Sequence, residues 1–331
     1  MPHFSIPTCF FPTTALFVDD NRDFLLNFVL QLDEWLAYRV FDSPFDALES
    51  IQKKYREHDL ITYRCPKSYS ETSASFLAIY EELYNPSRFC DVSVVVVDYG
   101  MPGMNGLDFC RHISETRIKK ILLTGKTDEK LAKKALEDGL IHRYIHKSDP
   151  DVAELITQSI AELQWQYFQD MSEELMGLLP VKSPTCFHDE NFAGFFRHLC
   201  HEHGIVEFYL IDDLGSFVLL DVDANVSFLL VKNKAQLDTY YNLARENGAN
   251  SHVLEQLARG EKIPLFEYGK NRKLQWSDWV ANLISANLLV GTEEYYYSHV
   301  QERPLFDINQ DKLLSYHQHL QKIDAEELLL I

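Results

Sequence analysis

The chain is poor in several things at once. Its six cysteines (Cys9, Cys65, Cys90, Cys110, Cys186 and Cys200) contain no Cys-x-x-Cys pair, which argues against a disulfide framework or a zinc ribbon and suits a reducing compartment. Only 13 glycines and 12 prolines stand among 331 residues, too few for a low-complexity or fibrous chain. No apolar run approaches the roughly 20 residues that span a bilayer, and no basic segment followed by an apolar one opens the chain. The expectation is a soluble, cytoplasmic protein with no membrane partner. Basic residues are scarce too: Lys and Arg number 31 against 50 Asp and Glu, a net charge of -19. Met1–Leu179 carries 18 basic and 28 acidic residues, and the remainder 13 and 22. Neither half is a basic module, which argues against direct nucleic-acid binding.

What the chain does have is apolar substance. Hydrophobic residues make up 46% of it and aromatics 13%, enough for packed cores, and the length favours two domains. From Ala15 onward, apolar runs alternate with amphipathic stretches, the pattern of a parallel α/β sheet covered on both faces. Ala15–Val18, Tyr38–Phe41, Val92–Val97, Lys120–Leu123 and Ile141–Ile145 read as strands. The intervening helices are Asn21–Trp35, a second opened by Ser43-Pro44 and running to about Arg56, Leu107–Thr116 and Glu129–Asp138. Residues 58–91 read as an insertion delaying the third strand, with a helix near Thr72–Leu83.

A last helix opened by Asp149-Pro150 has no breaker until Gly177. Val152, Ile156, Ile160, Leu163, Tyr167, Met171 and Leu175 form one stripe along it, so it is either a rigid link over 164–182 or a helix folded back on its own core. A second, α+β domain is expected over 183–331. It has a helix over Glu190–Glu202, strands at Ile205–Ile211, Ser216–Leu220 and Ser227–Val231 joined by acidic turns, and helices at Leu237–Glu246 and His252–Arg259. Apolar segments ending near Tyr295–Val300 and a terminal helix from about Gln310 complete it.

Chemistry concentrates at strand C-terminal ends, where open parallel sheets place their sites. Asp19-Asp20 follows the first strand, Asp98 ends the third, Thr124 the fourth, and Lys147 follows the fifth. Three converging carboxylates repel one another unless a hard divalent cation joins them, and Mg²⁺ suits such an oxygen set. Asp98 is then placed as a nucleophile towards phosphorus, with Thr124 and Lys147 on the phosphoryl oxygens.

Asp19-Asp20, Asp98 followed by the loop Tyr99-Gly100-Met101-Pro102-Gly103-Met104-Asn105-Gly106, Thr124-Gly125 and Lys147 together resemble the receiver domain of two-component response regulators over about residues 15–163, within a domain taken as 1–163. The resemblance implies a flavodoxin-like five-stranded sheet of order 2-1-3-4-5. It also implies phosphotransfer to Asp98 from a histidine kinase or phosphotransfer protein. By the same resemblance Asp20, Asp98 and the Gly100 carbonyl bind the metal directly, and Asp19 acts through water or a hydrogen bond. Thr124, Gly125 and Lys147 hold the phosphoryl group, and Thr124 with Tyr144 forms a switch leading to a homodimer. Two departures stand out. Ser148 occupies the place where the family usually has a proline, often in a cis peptide, and 78 positions (98 − 20) separate Asp20 from Asp98.

The second half offers less. It has no basic recognition helix and none of the Gly-Gly-Asp-Glu-Phe or Gly-Tyr-Pro signatures of cyclic-dinucleotide enzymes. His198, Cys200, His201 and His203 read as a helix end more than as a metal site. Asp212-Asp213 and Asp221/Asp223 read as turn residues. The alternative is a receiver-gated nuclease or phosphodiesterase using those carboxylates. Tyr240-Tyr241 and Tyr295-Tyr296-Tyr297 read as half-buried sheet and helix aromatics. The segment from Phe208 to Val231 faintly resembles the output half of quorum-sensing response regulators that lack a DNA-binding motif.

Overall fold

The computed structural model describes residues 5–56, 79, 81–125, 128–178, 184–265, 282–301 and 308–328. Most of the proposed insertion, including most of the helix expected near Thr72–Leu83, lies outside them, as does the 179–182 end of the expected linker. At the described end of the insertion are the short 3-10 turns Glu81–Tyr84 and Arg88–Cys90.

The first unit is built on a five-stranded parallel sheet: β2 (Thr14–Val18), β3 (Tyr38–Phe41), β4 (Val92–Asp98), β5 (Lys119–Thr124) and β6 (Arg143–His146). Their spatial order is β3-β2-β4-β5-β6, the 2-1-3-4-5 order of a flavodoxin-like receiver sheet. The parallel registers run Val18 beside Val97, Asp98 beside Leu123 and Thr124 beside His146. β2, β4 and β5 are buried along their whole length, which explains runs such as Val94–Val97: covered on both faces, a strand needs no polar alternation.

Parity divides the apolar residues between two cores. Leu16, Val18, Val95, Val97 and Leu122 pack with residues of α2 (Pro44–Arg56), α3 (Gly106–His112) and α4 (Glu129–Glu137). Ala15, Phe17, Val94, Val96, Ile121 and Leu123 pack with α1 (Arg22–Val29) and α5 (Val152–Leu178).

Several boundaries differ from the sequence reading: α3 ends at His112 where Thr116 was expected, and β6 covers Arg143–His146 where Ile141–Ile145 was expected. α1 stops at Val29 and does not continue to Trp35, because Asp33 turns the chain locally: its Oδ1 accepts from the Trp35 N–H and its carbonyl from the Leu36 N–H. α5 remains part of this unit to its end. Its stripe Ile156, Ile160, Leu163, Tyr167, Met171 and Leu175 is buried throughout. Its second half is tied down as well: Gln164 donates to the Thr13 carbonyl, Lys119 pairs with Asp170 at 2.5 Å and Arg117 with Glu174 at 3.4 Å. Residues 164–178 are thus core helix, the folded-back alternative of the two the sequence left open.

The terminal helix, expected from Gln310 within the second domain, begins at Tyr316, runs as α9 (Tyr316–Leu328) and groups with the first unit. The Ser315 hydroxyl accepts the Gln318 N–H to start it, Arg88 donates to the Leu314 carbonyl, and the Tyr316 hydroxyl bonds Ala37 and Trp35. Gln310–Lys312 is only a 3-10 turn.

The second unit contains a six-stranded sheet of order β1-β7-β8-β9-β13-β12. Its strands are β1 (Cys9–Phe10), β7 (Ile205–Leu210), β8 (Phe217–Asp221), β9 (Val226–Asn233), β12 (Asn287–Val290) and β13 (Glu294–Val300). The pairings along β7-β8-β9-β13-β12 are antiparallel. β10 (Lys262–Pro264) and β11 (Leu283–Ser285) form a separate two-stranded ladder, and α6 (Glu190–Glu202), α7 (Lys234–Glu246) and α8 (Ser251–Ala258) complete the α+β unit. Asp189 organises it. Its carboxylate caps α6 at Asn191 and Phe192 and accepts from the Thr292 N–H and hydroxyl and from the Tyr295 hydroxyl.

Candidate functional site

The site follows from where parallel strands end. β2 delivers Asp19 and Asp20, and the Asn21 side chain, accepting the Phe24 N–H, turns the chain at once into α1. Asp19 is buried and accepts the Asn21 N–H at 3.0 Å. β4 delivers Asp98, whose Oδ2 accepts the Gly100 N–H at 3.0 Å. The following loop folds back tightly: the Gly106 N–H donates to the Tyr99 carbonyl at 2.9 Å, and Asn105 caps α3 through the Asp108 N–H. A Cβ on residue 106 would lie 2.3 Å from the Asp98 carbonyl oxygen, so this position requires glycine for the loop to return against its own strand.

Lys147 reaches in from beyond β6. Its Nζ lies 2.5 Å from Asp19 Oδ2 and 2.8 Å from Asp98 Oδ1, and 4.6 Å from the Phe24 ring centroid. Burial acts to lower the lysine's affinity for its proton, yet the hydrogen bonds to Asp19 and Asp98 outweigh it and hold the ammonium above its ordinary pKa. Burial pushes the Asp19 carboxyl up despite its bonds to Lys147 and the Asn21 N–H. The Lys147–Ser148 peptide is trans.

Carboxylate oxygens of Asp19, Asp20 and Asp98 lie within 4.8 Å of one another, and among the described residues this is the only such cluster of His, Cys, Asp and Glu ligand atoms. Three carboxylates face one ammonium here, leaving a surplus of negative charge in a partly desolvated pocket. A hard divalent cation fits that donor set.

The remaining predicted residues surround this centre. Thr124 is fully buried at the end of β5, with Gly125 directly after it. Its hydroxyl lies 3.1 Å from Nδ1 of His146. Tyr144 sits on β6, half-buried against the α2–α4 core, with its ring edge-on to His146 at 6.0 Å. Sequence reasoning missed His146 and Phe24. The register that sets Thr124 beside the residue before Lys147 was the available signal for the first, and Phe24 lies on the first turn of a helix that starts at the acidic pair.

The acidic residues of the second unit are turn-formers. Asp212 Oδ1 accepts the Leu214 and Ser216 N–H groups, and Asp221 Oδ1 those of Asp223 and Asn225.

A parallel 2-1-3-4-5 sheet with an acid cluster of two buried and one exposed carboxylate and a lysine at its carboxyl edge defines a receiver, and the model of the response regulator receiver domain matches residues 72–158. That stretch holds Asp98, Thr124 and Lys147, and the fold supplies Asp19 and Asp20 from the strand before it. The chain belongs to the response regulators. Along nearly its whole length it is similar to the Legionella pneumophila response regulator LqsR, with 57% identity over 98% of this chain and 99% of that one and a TM-score of 0.88. Adenylate cyclase from Rhodopirellula baltica (23% identity, 49% of this chain and 95% of that one, TM-score 0.36) shares much less. So does a receiver-domain protein from Clostridium thermocellum (19%, 46% and 94%, 0.32). Neither adds to the assignment. No curated protein matches the chain significantly.

Proposed function

We propose that the protein is a phosphorylation switch. Asp98 takes a phosphoryl group from a histidine kinase or phosphotransfer protein, and the modified receiver changes its own dimerisation or the partner binding of the second unit. The observation that carries this reading is the approach of Lys147 Nζ to both Asp19 and Asp98 beside the exposed Asp20. In the step itself, an Asp98 carboxylate oxygen forms a bond to phosphorus as the donor's phosphorus–nitrogen bond breaks. The product is an acyl phosphate, and the electron pair leaves with the donor imidazole.

Asp20, Asp98 and the Gly100 carbonyl would hold Mg²⁺, with Asp19 supporting them. The ion would supply neutralisation of the charge that collects on the phosphoryl oxygens. Lys147 orients the Asp98 carboxylate and binds a phosphoryl oxygen once the group arrives. The Gly100 N–H holds Asp98 Oδ2 and the Lys147 ammonium holds Oδ1, so both oxygens of the acceptor carboxylate are oriented before phosphorus arrives. Thr124 and the Gly125 backbone complete the phosphoryl cradle, and Thr124 with Tyr144 carries the change outward. Domains would fall as a receiver that begins at about Phe10, ends at about Leu178 and is completed by α9, and an output unit that lies after 183 and ends by Leu313. A cytoplasmic place in quorum-sensing signalling fits the resemblance of the Phe208–Val231 segment.

The test is acetyl phosphate with Mg²⁺, read by intact mass and light scattering. One phosphoryl group per chain is expected, abolished by Asp98→Asn or by chelation. No adduct, even with a cognate kinase supplied, would overturn the reading.

A further inference from the structure

We infer that His146 is a positioning residue that latches the Thr124 hydroxyl away from the acceptor aspartate and so sets how readily the switch turns on; the inference rests on the reading of Asp98 as phospho-acceptor. β5 lies between β4 and β6. Asp98 ends β4 on one side of Thr124, and His146 is its register partner on the other. The Thr124 hydroxyl is engaged on the β6 side, 3.1 Å from His146 Nδ1 and at the long distance of 3.5 Å from the Ile145 carbonyl. A threonine hydroxyl occupies one of a few staggered positions, so it cannot keep the His146 bond and also reach a phosphoryl group on the β4 side. The two contacts compete for one oxygen.

Competition of this kind is a coupling free energy, and it acts in both directions. A phosphoryl group on Asp98 draws Thr124 off His146, and whatever strengthens the His146 bond disfavours the phosphorylated arrangement. The imidazole also meets the edge of the Tyr144 ring at 6.0 Å, nearly perpendicular. A single side chain therefore touches both residues of the proposed switch, and loss of its threonine partner frees it to move against the tyrosine.

The experiment is a calorimetric titration of the full chain with beryllofluoride and Mg²⁺ in five forms: wild type, His146→Ala, His146→Asn, Thr124→Ala and the Thr124→Ala/His146→Ala double variant. Loss of one part-buried hydrogen bond from the resting state predicts about 2- to 10-fold tighter binding for His146→Ala. His146→Asn, which places an amide near the Nδ1 position, should bind close to wild type. In the Thr124→Ala background His146→Ala should change nothing, because the latch has no hydroxyl left to hold. A metal-free readout accompanies it: in His146→Ala the Thr124 methyl resonance should move, with no ligand added, towards its beryllofluoride-bound position. Unchanged or weaker binding in His146→Ala while wild type binds, or the same gain in the Thr124→Ala background, would overturn the latch alone. If wild type neither binds beryllofluoride nor takes a phosphoryl group on Asp98, the phospho-acceptor reading falls and the latch with it.

Discussion

At the scale of single residues, Lys147 holds together a site that would otherwise repel itself. Its ammonium touches two buried carboxylates, and removing one partner of such a group leaves uncompensated charge behind. Lys147 keeps a quarter of its side chain exposed, so solvent screening reduces the cost. Lys147→Ala should lower stability by roughly 1–3 kcal/mol in urea denaturation without divalent cation. Added Mg²⁺ should then raise the melting temperature of the variant more than that of wild type, because the ion takes over part of the lysine's neutralising role. Equal shifts would mean that the cation does not enter among these carboxylates.

Tyr316 is a second residue with a definite cost. Its hydroxyl accepts the Ala37 N–H at 2.9 Å and donates to the Trp35 carbonyl at 2.7 Å, in a buried setting. Tyr316→Phe strands both backbone groups and should destabilise by about 1–3 kcal/mol, measurable by the same denaturation.

At the scale of elements, α9 is a titratable attachment. Burial lowers the His319 pKa to about 4, with Arg88 and Lys322 adding positive charge nearby. Its ring packs on Phe89 and Tyr316. A histidine with a depressed folded-state pKa binds its proton more readily when unfolded or undocked, so stability is full above pH 6.5 and declines as pH falls towards 4. Amide exchange of residues 316–323 should therefore accelerate between pH 7 and pH 5 relative to the sheet. His319→Gln should lose that dependence. An equal acceleration in the variant would place the titrating group elsewhere.

Elements also divide what the sequence reveals from what it hides. The two central strands were legible as apolar runs, Ala15–Val18 and Val92–Val97, and the edge strands through their place in the β-α alternation; the site was legible because a parallel sheet brings every strand's carboxyl end to one edge. α1's early end was not, since Asp33's local hydrogen bonds defeat a helical pattern that continues on paper. The place of α9 depends on Tyr316 meeting Ala37 and Trp35, contacts spanning 279 and 281 positions that no local pattern encodes. His146 escaped for a related reason. Its importance comes from β5–β6 register, while its own residue type before a lysine carries no signal.

At the scale of the whole molecule, the candidate acceptor site belongs to the parallel sheet and the second unit is built on a sheet of its own. Asp189, the hub of that second unit, is held below the usual carboxylate range. Burial alone would raise its pKa, but the hydrogen bonds from Thr292, Phe192 and Tyr295 more than offset it. A Cβ at residue 291 would lie 2.1 Å from Asp189 Oδ2, so Gly291→Ala should damage the second unit. If the two units melt separately in calorimetry, the transition that moves should be the one that leaves receiver phosphorylation intact.

The switch stands or falls on whether Asp98 itself becomes an acyl phosphate. Borohydride reduction of the protein treated with acetyl phosphate and Mg²⁺, followed by peptide mass mapping, tests this most directly, because reduction converts an aspartyl phosphate to homoserine. Homoserine is expected at position 98 and at neither 19 nor 20. Homoserine at Asp19 or Asp20, or at no aspartate while Asp19, Asp20 and Lys147 remain intact, would contradict it.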